Sequence, residues 1–316
     1  MADSPSPQIL VVGSLNMDLT AYTPRLPFPG ETVLGNRWEM ACGGKGGNQA
    51  VAAARLGARV AMIGRVGQDA YGIALRNSLI SQAIDCEGLL SDADQPTGMA
   101  LIAVSREGQN IIIVIPGCNG ALATADIEAH ATRIAAAKIV VCQLETPLAT
   151  VRRAVELAAK AHTFVIVNPA PAPEPDALDR EFLECIDLLI PNETEAAALT
   201  GLPVSSIDQA MTAASALRAR GARDVIVTLG PLGVVHVGAH CRHHYPAPSA
   251  VAIDATAAGD TFIGAVAASL SKSDDVPAAI HLGQLAASIS VSRVGAQSSI
   301  PTLAEVNRWQ AHPRTR

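Results

Sequence analysis

The chain has 316 residues, enough for one large core or a core with a small accessory domain. It is 49% hydrophobic and 16% charged, with a net charge of −6 and no long Lys/Arg run, which argues against nucleic acid or an anionic membrane surface as partner. Aromatic residues make up only 3%, too few for base-stacking platforms, while anionic small molecules stay open because backbone N–H groups bind them whatever the net charge.

Residues 1–7 are polar and proline-rich and read as a disordered tail, since a signal peptide would need a basic start and a cleavage pattern. No apolar run is long enough to span a bilayer, so a cytoplasmic location is expected. QILVVG (8–13) predicts a buried strand ending in glycine. Residues 19–40 alternate polar and apolar with three prolines and two glycines, the pattern of short antiparallel strands joined by turns. GGNQAVAAARLG (46–57) predicts an alanine-rich helix stopped at Gly57, and ARVAMIG (58–64) a strand. A helix follows over 70–84, then a strand pair, MALIAVS (99–105) and QNIIIVIPG (109–117).

From there strand and helix alternate. AKIVVCQ is a strand, PLATVRRAVELAAKA a helix with proline in its first turn, and FVIVNPA and DLLIPN are strands. IDQAMTAASALRARG is a helix ending at Gly221, DVIVTLG is a strand, and helices start near 257 and 277. Such alternation predicts an α/β fold: a mainly parallel central sheet, Rossmann-type, with helices on both faces. The core takes residues 8–16, 43–98 and 116–310. Residues 17–42 and 99–115 do not fit that scheme and read as a small β-sheet lid.

Six cysteines lie far apart without a CxxC pair, so neither a disulfide framework nor a structural zinc site is indicated. HCRHH (240–244) reads as a polar edge strand or turn rather than a metal site, because ligands must converge from spaced positions.

The chain has no GxxxxGK[ST] and no GxGxxG after its first strand, so phosphates must be held another way, and a dinucleotide-dependent oxidoreductase is disfavoured. IDATAAGDTF (253–262) offers one. Ala257, Ala258 and Gly259 let backbone N–H groups approach a ligand at a helix start, where the helix dipole favours an anion. Asp260 in the first turn could take a proton from a hydroxyl while that nest steadies a phosphoryl group. The plain alternative, an acidic helix N-terminus with small residues for packing, stays open on local sequence alone.

DATAAGD resembles the C-terminal signature of the ribokinase-like (PfkB) carbohydrate kinases, usually DTxGAGD or DTxAAGD. GGKGGNQA (43–50) resembles their N-terminal signature, GGKGANQA. The likeness runs from about residue 8 to 301. Within that family GSLNMDL, PGETV, QLETPL, NPAPA, PNETEA, TLG and VGAQSSIP are most similar to segments of the ribose-phosphorylating members.

The resemblance implies ATP-dependent phosphorylation of D-ribose at its 5-hydroxyl. Asp260 would be the general base, and Ala257, Ala258, Gly259 and Asp260 the anion hole. Asn16, Asp18, Gly44, Lys45, Asn48 and Glu145 would bind the sugar. Asn192, Thr228, Gly230, Gly233, Gly259 and Gln284 would border the nucleotide, and Glu195 would act through water on Mg²⁺. The pair Asn192 and Glu195 also spells a helix-capping pattern, and the two roles are compatible. Asp254 and the Thr256 carbonyl would bind K⁺, with the carbonyls of Ser290, Arg293 and Gly295 and the Ser299 hydroxyl, an all-oxygen set suited to a hard cation. One aspartate of the motif would then order the loop and the other do proton chemistry.

Three positions depart from the family pattern. Ala255 replaces the usual Thr and removes a side-chain hydrogen bond, Gly47 replaces Ala, and Met17 is bulkier than the usual Ala and is expected to narrow the sugar site. A 2-deoxyribose or other small-polyol kinase, and a catalytically silent sugar- or nucleotide-binding regulator, are the rival readings. The lid's sticky edges predict a homodimer through lid packing.

Overall fold

A computed structural model describes residues 7–311 of the chain. The first strand, β1 (Ile9–Val12), is wholly buried and leads through a short link into β2 (Asn16–Thr23). β3 (Arg37–Gly43) returns directly to helix α1 (Lys45–Arg55), which is followed by β4 (Val60–Gly67), α2 (Ala70–Ser81) and β5 (Leu89–Asp92). The chain then pairs β6 (Gly98–Ser105) with β7 (Asn110–Ile115).

Two short helices, α3 (Thr124–Ala129) and α4 (Ala131–Ala136), lead into β8 (Ile139–Gln143), α5 (Leu148–Lys160) and β9 (Phe164–Asn168). Next come α6 (Arg180–Glu184), β10 (Leu188–Leu189), α7 (Glu193–Thr200), α8 (Ile207–Ala219) and β11 (Asp224–Thr228). A hairpin of β12 (Val234–Val237) and β13 (Arg242–Tyr245) precedes α9 (Ala258–Leu270), α10 (Val276–Ser290) and α11 (Leu303–Ala311).

Nine strands form one sheet in the order β13-β12-β11-β10-β9-β8-β1-β4-β5. All neighbours from β5 to β11 are parallel, and only β12 runs against them, since β13 pairs antiparallel with β12 and so regains the common direction. Strands buried on both faces need apolar residues at every position, and β1 shows the division of labour: Leu10 and Val12 enter one core cluster, Ile9 and Val11 the other. After β1 the chain moves to β4 on one side, and later to β8 on the other. The carboxyl ends of β1 and β8 therefore flank a topological switch point, where α/β sheets bind ligands.

The lid is a separate four-stranded sheet in the order β3-β2-β6-β7. Its strands β2 and β3 pair antiparallel, as expected for residues 19–40, and β2 pairs with β6 in parallel from Asn16–Gly98 to Thr23–Ser105. Alternation along a strand fixes which side chains face inward and says nothing of the partner's direction. All six residues of β7 are exposed.

Other expectations shift at the edges. The helix expected over 70–84 stops at Ser81, where Gln82 and Ala83 turn back onto the last carbonyls. β5, α3, α4, α6 and α11 were not foreseen; most are one or two turns long, below the reach of periodicity. Of HCRHH, Arg242, His243 and His244 fall on edge strand β13, and His240 and Cys241 lie in the turn before it. Of the tail expected at 1–7, residues 1–6 lie outside the described residues. Among the described residues no helix is long and apolar enough to cross a membrane.

Candidate active site

The start of α9 is built from small residues because the backbone itself makes the site. Ala257 caps the helix in a left-handed conformation, φ 58°. The Ala258 N–H closes back on the Ala255 carbonyl at 3.2 Å, so the first-turn N–H groups presented to a ligand are those of Gly259 and Asp260. An ideal Cβ on Gly259 would meet nothing within 4 Å, so this end of the helix faces open space.

Asp260 is nearly buried, and both its oxygens are held: Oδ2 accepts from Asn48 Nδ2 at 3.0 Å and Oδ1 from Gln49 Nε2 at 2.9 Å. Those donors sit on α1, more than 200 residues away in sequence. They reach Asp260 because α1 and α9 pack with almost no gap. A Cβ on Gly264 would stand 2.6 Å from the Gln49 carbonyl and 2.5 Å from the Ala52 Cβ.

Polar groups able to bind hydroxyls collect at the start of α1, on β2 and after β8. Gly44 caps α1 at φ 82°, and any Cβ there would lie 2.6 Å from the Asn16 nitrogen, so only glycine permits the chain to enter α1 beside β2. The next residue, Lys45, gives its N–H to Glu145 Oε2 at 3.1 Å, and Ser14 Oγ donates to the same oxygen at 2.6 Å. Asn16 has its side-chain carbonyl occupied by Asn119 Nδ2 at 2.7 Å, which leaves its own NH₂ to donate. Asn48 Oδ1 is buried without a partner among the described residues, an acceptor suited to a ligand hydroxyl.

Charge is concentrated here. Burial, then the charges of Glu145 and Asp260, push the Asp18 carboxyl up to about 7. Burial pulls the Lys45 ammonium down, but the carboxylates of Asp260, Glu145 and Glu195 outweigh it and hold it above its usual value. One ammonium thus stands among carboxylates, a mixed set of donors and acceptors that fits a polyol.

At the start of α7, expected to face the nucleotide, Asn192 and Glu195 form a full capping box. Glu195 N–H donates to Asn192 Oδ1 at 2.8 Å, and Asn192 N–H donates back to Glu195 Oε2 at 2.9 Å. Burial raises the Glu195 carboxyl despite the Asn192 N–H and Lys45. Thr228 lies beside Asn192 through a single parallel bridge, which sets the ends of β10 and β11 side by side. Gly230 opens the turn after β11 with little around it, whereas Gly233 abuts the Tyr245 carbonyl, where a Cβ would come to 2.1 Å. Gln284 gives both amide hydrogens to the carbonyls of Tyr245 and Pro246, at 2.8 and 3.1 Å, leaving its own carbonyl for a ligand.

The residues expected to bind a cation lie in two segments that touch at Asp254 and Gly295. Asp254 Oδ1 accepts from Thr256 N–H at 2.9 Å and Oγ1 at 2.6 Å, and its Oδ2 accepts from Gly295 N–H at 2.8 Å. Burial pushes the Asp254 carboxyl up, but these bonds hold it below its usual value. The Ser290 and Ser299 hydroxyls are 2.8 Å apart and fully buried, and the Ser290 carbonyl accepts the Arg293 N–H at 3.0 Å. The 254–256 and 290–299 segments thus lie side by side and offer carboxylate, hydroxyl and carbonyl oxygens, donor types that fit a hard monovalent cation.

Sequence reasoning missed the residues behind the ligand groups: Ser14 holding Glu145, Asn119 holding Asn16, and Gln49 holding Asp260. Gln49 lies inside the quoted GGKGGNQA, but its partners are too distant in sequence to suggest themselves. Met17, expected to narrow the sugar site, instead joins the core: alternation along β2 turns it away from the Asp18 face, and it is 5% exposed.

Comparison with known proteins supplies an independent line. The model of the pfkB family of carbohydrate kinases matches residues 6–303. The ribokinase of Haemophilus influenzae is 40% identical over 304 residues, covering 96% of this chain and 98% of that protein. The deoxyribokinase of Salmonella typhimurium is 37% identical over 301 residues, 95% of this chain and 98% of that one. A ribokinase structure from Arabidopsis thaliana, complexed with ribose and ATP, superposes with a TM-score of 0.87 at 31% identity, covering 96% of this chain and 98% of the other.

Proposed function

The chain belongs to the pfkB family of carbohydrate kinases, and from that premise we propose that it phosphorylates D-ribose at the 5-hydroxyl with ATP, giving ribose 5-phosphate. The observation that carries this reading is the meeting of Asp260, in the first turn of α9, with Asn48, Lys45, Asp18 and Glu145 at the switch point of the sheet. A base, an anion-binding helix start and a polyol site then share one cleft.

In this reading Asn16, Asp18, Gly44, Lys45, Asn48 and Glu145 orient the sugar. Asp260 accepts the proton of the 5-hydroxyl as its oxygen bonds to the γ-phosphorus and the bond to the ADP oxygen breaks. The N–H groups of Gly259 and Asp260, with Ala257 and Ala258 shaping the turn, meet the negative charge on the transferring group. Asn192, Thr228, Gly230, Gly233 and Gln284 border the nucleotide. Asn192 and Glu195 would hold Mg²⁺ through water, and bound Mg²⁺ neutralises charge on the phosphates. K⁺ held by Asp254, Thr256, Ser290, Arg293, Gly295 and Ser299 would order the loop that enters α9. The exposed β7 supports pairing of two lids into a homodimer.

The test is ADP release with ATP and Mg²⁺ on D-ribose and 2-deoxy-D-ribose, with and without K⁺, beside Asp260→Ala. Turnover with ribose, stimulated by K⁺ and reduced at least about 10³-fold in the variant, is expected. The full-length likeness to a deoxyribokinase makes the second sugar the informative comparison: faster turnover of 2-deoxyribose would reassign the substrate. ATP binding without turnover of either sugar would favour another polyol or a silent regulator.

A further inference from the structure

Asp260 is the end of a buried chain of side-chain amides that no ligand-binding role accounts for. Gln143 Nε2 donates to Gln49 Oε1 at 2.7 Å. Gln49 Nε2 donates to Asp260 Oδ1 at 2.9 Å and to Asn168 Oδ1 at 3.2 Å. Asn168 Nδ2 in turn donates to the Ile190 carbonyl at 2.9 Å and approaches Glu195 Oε2 at 3.5 Å. Gln143, Gln49 and Asn168 are all at most 5% exposed, and they come from three different elements: β8, α1 and β9.

The direction of every donor in this chain is forced. A carboxylate only accepts, so Gln49 must turn its NH₂ toward Asp260. Its carbonyl then faces Gln143, which must donate. Asn168 is locked the same way, because its NH₂ meets a backbone carbonyl. Gln143 sits at the far end with its own Oε1 buried and unpartnered among the described residues. Leaving an acceptor unsatisfied in the core costs stability, so packing alone gives no reason for an amide at that point. The arrangement makes sense if its product is the donor delivered at the other end.

We propose that Gln49 is a positioning residue for the phosphoryl transfer. With Asn48 on the opposite oxygen, it fixes the plane of the Asp260 carboxylate and keeps it aimed at the substrate hydroxyl, while Gln143 fixes Gln49. The same amide reaches through Asn168 toward Glu195, so the base and the phosphate side of the cleft are held to one rigid frame. This inference rests on the kinase reading above. The charge of Asp260 acts on Asp18 of β2, Lys45 of α1 and Glu195 of α7, and Glu145, in the loop after β8, acts on Asp18 and Lys45, so the orientation of this carboxylate bears on the whole site.

Gln49→Met keeps the volume and removes the donor; Gln49→Glu keeps the shape and replaces the donor with an acceptor. Both are measured against the wild-type chain for melting temperature, kcat, both KM values and the pH dependence of kcat. In each variant kcat is expected to fall about 10- to 100-fold with KM for sugar and ATP changed less than about threefold. Gln49→Glu should suffer more at neutral pH, where a second carboxylate faces Asp260. Gln143→Met should show the same split more weakly. A folded Gln49→Glu with wild-type kcat overturns the proposal, as does a fall in kcat matched by a proportional rise in KM. If wild type turns over no sugar, the kinase reading falls and this one with it; if wild type is active and the variants equal it, only this one falls.

Discussion

Asp18 shows how much the ligand groups cost the empty protein. Its carboxyl rises from 3.8 to about 7 through burial and the neighbouring charges of Glu145 and Asp260. Between those two values the folded chain keeps a proton that the unfolded chain has released. The stability contribution is therefore full below about pH 4 and is lost as pH rises through about 7. The melting temperature of the ligand-free protein is expected to fall between about pH 4 and pH 7, and Asp18→Asn should flatten that slope while raising stability at the upper end. Hydroxyl donors favour the charged form, so ribose should bind more tightly as pH rises through the same window. The same variant should lose about 10- to 100-fold in kcat/KM for ribose, the worth of one hydrogen bond to a charged group. Thermal melts and steady-state kinetics on one preparation check both halves. Residue types were legible at this scale: Asp18, Lys45, Asn48, Glu145 and Asp260 stand in recognisable stretches. Their supports, Ser14, Asn119 and Gln49, were not, because a polar side chain in a helix or after a strand names no partner until the fold brings one.

The pair α1 and α9 is the element on which the site depends. The two helices must touch backbone to side chain for Asn48 and Gln49 to reach Asp260, and Gly264 is where they do. Gly264→Ala sets two effects against each other. Alanine favours the helix by about 1 kcal/mol, but overpacking against a backbone carbonyl costs about 1–3 kcal/mol. The added Cβ meets the Gln49 carbonyl, which a side-chain rotation cannot clear, so the cost wins. A lower melting temperature is expected, with kcat reduced about tenfold as the amides shift from Asp260. An unchanged kcat would show that the close approach is incidental to the chemistry. Both helices were visible as alanine-rich segments opened by glycine motifs. Their contact was not, because a glycine inside an apolar helix is equally well a flaw and a point of approach.

At the scale of the whole molecule the open question is the lid. Ile111, Ile113 and Ile115 on β7 are 47%, 57% and 43% exposed, and Trp38 and Met40 on β3 are 64% and 50% exposed. Both edges of the small sheet thus carry apolar side chains, the surface a solitary monomer would be expected to blunt with charge. Light scattering is expected to report a dimer at micromolar protein. Ile111→Asp with Ile113→Asp should give a monomer whose core melts as before, since neither side chain contributes to the buried clusters. A wild-type chain that stays monomeric across that range would remove the dimer.

Length, composition and the strand–helix alternation by themselves determined the class of fold, because a sheet covered on both faces demands continuous apolar strands and amphipathic helices that periodicity records. Two signatures determined which residue types would meet a phosphate and a hydroxyl, because glycines that let the backbone approach and acids at a helix start are local properties of the chain. Tertiary structure alone decided which donors hold Asp260, that Met17 packs away from the sugar side, and that β2 and β6 run parallel. Each of these is a relation between segments separated by tens or hundreds of residues, and the free energy of such a contact depends on the packing of everything between them.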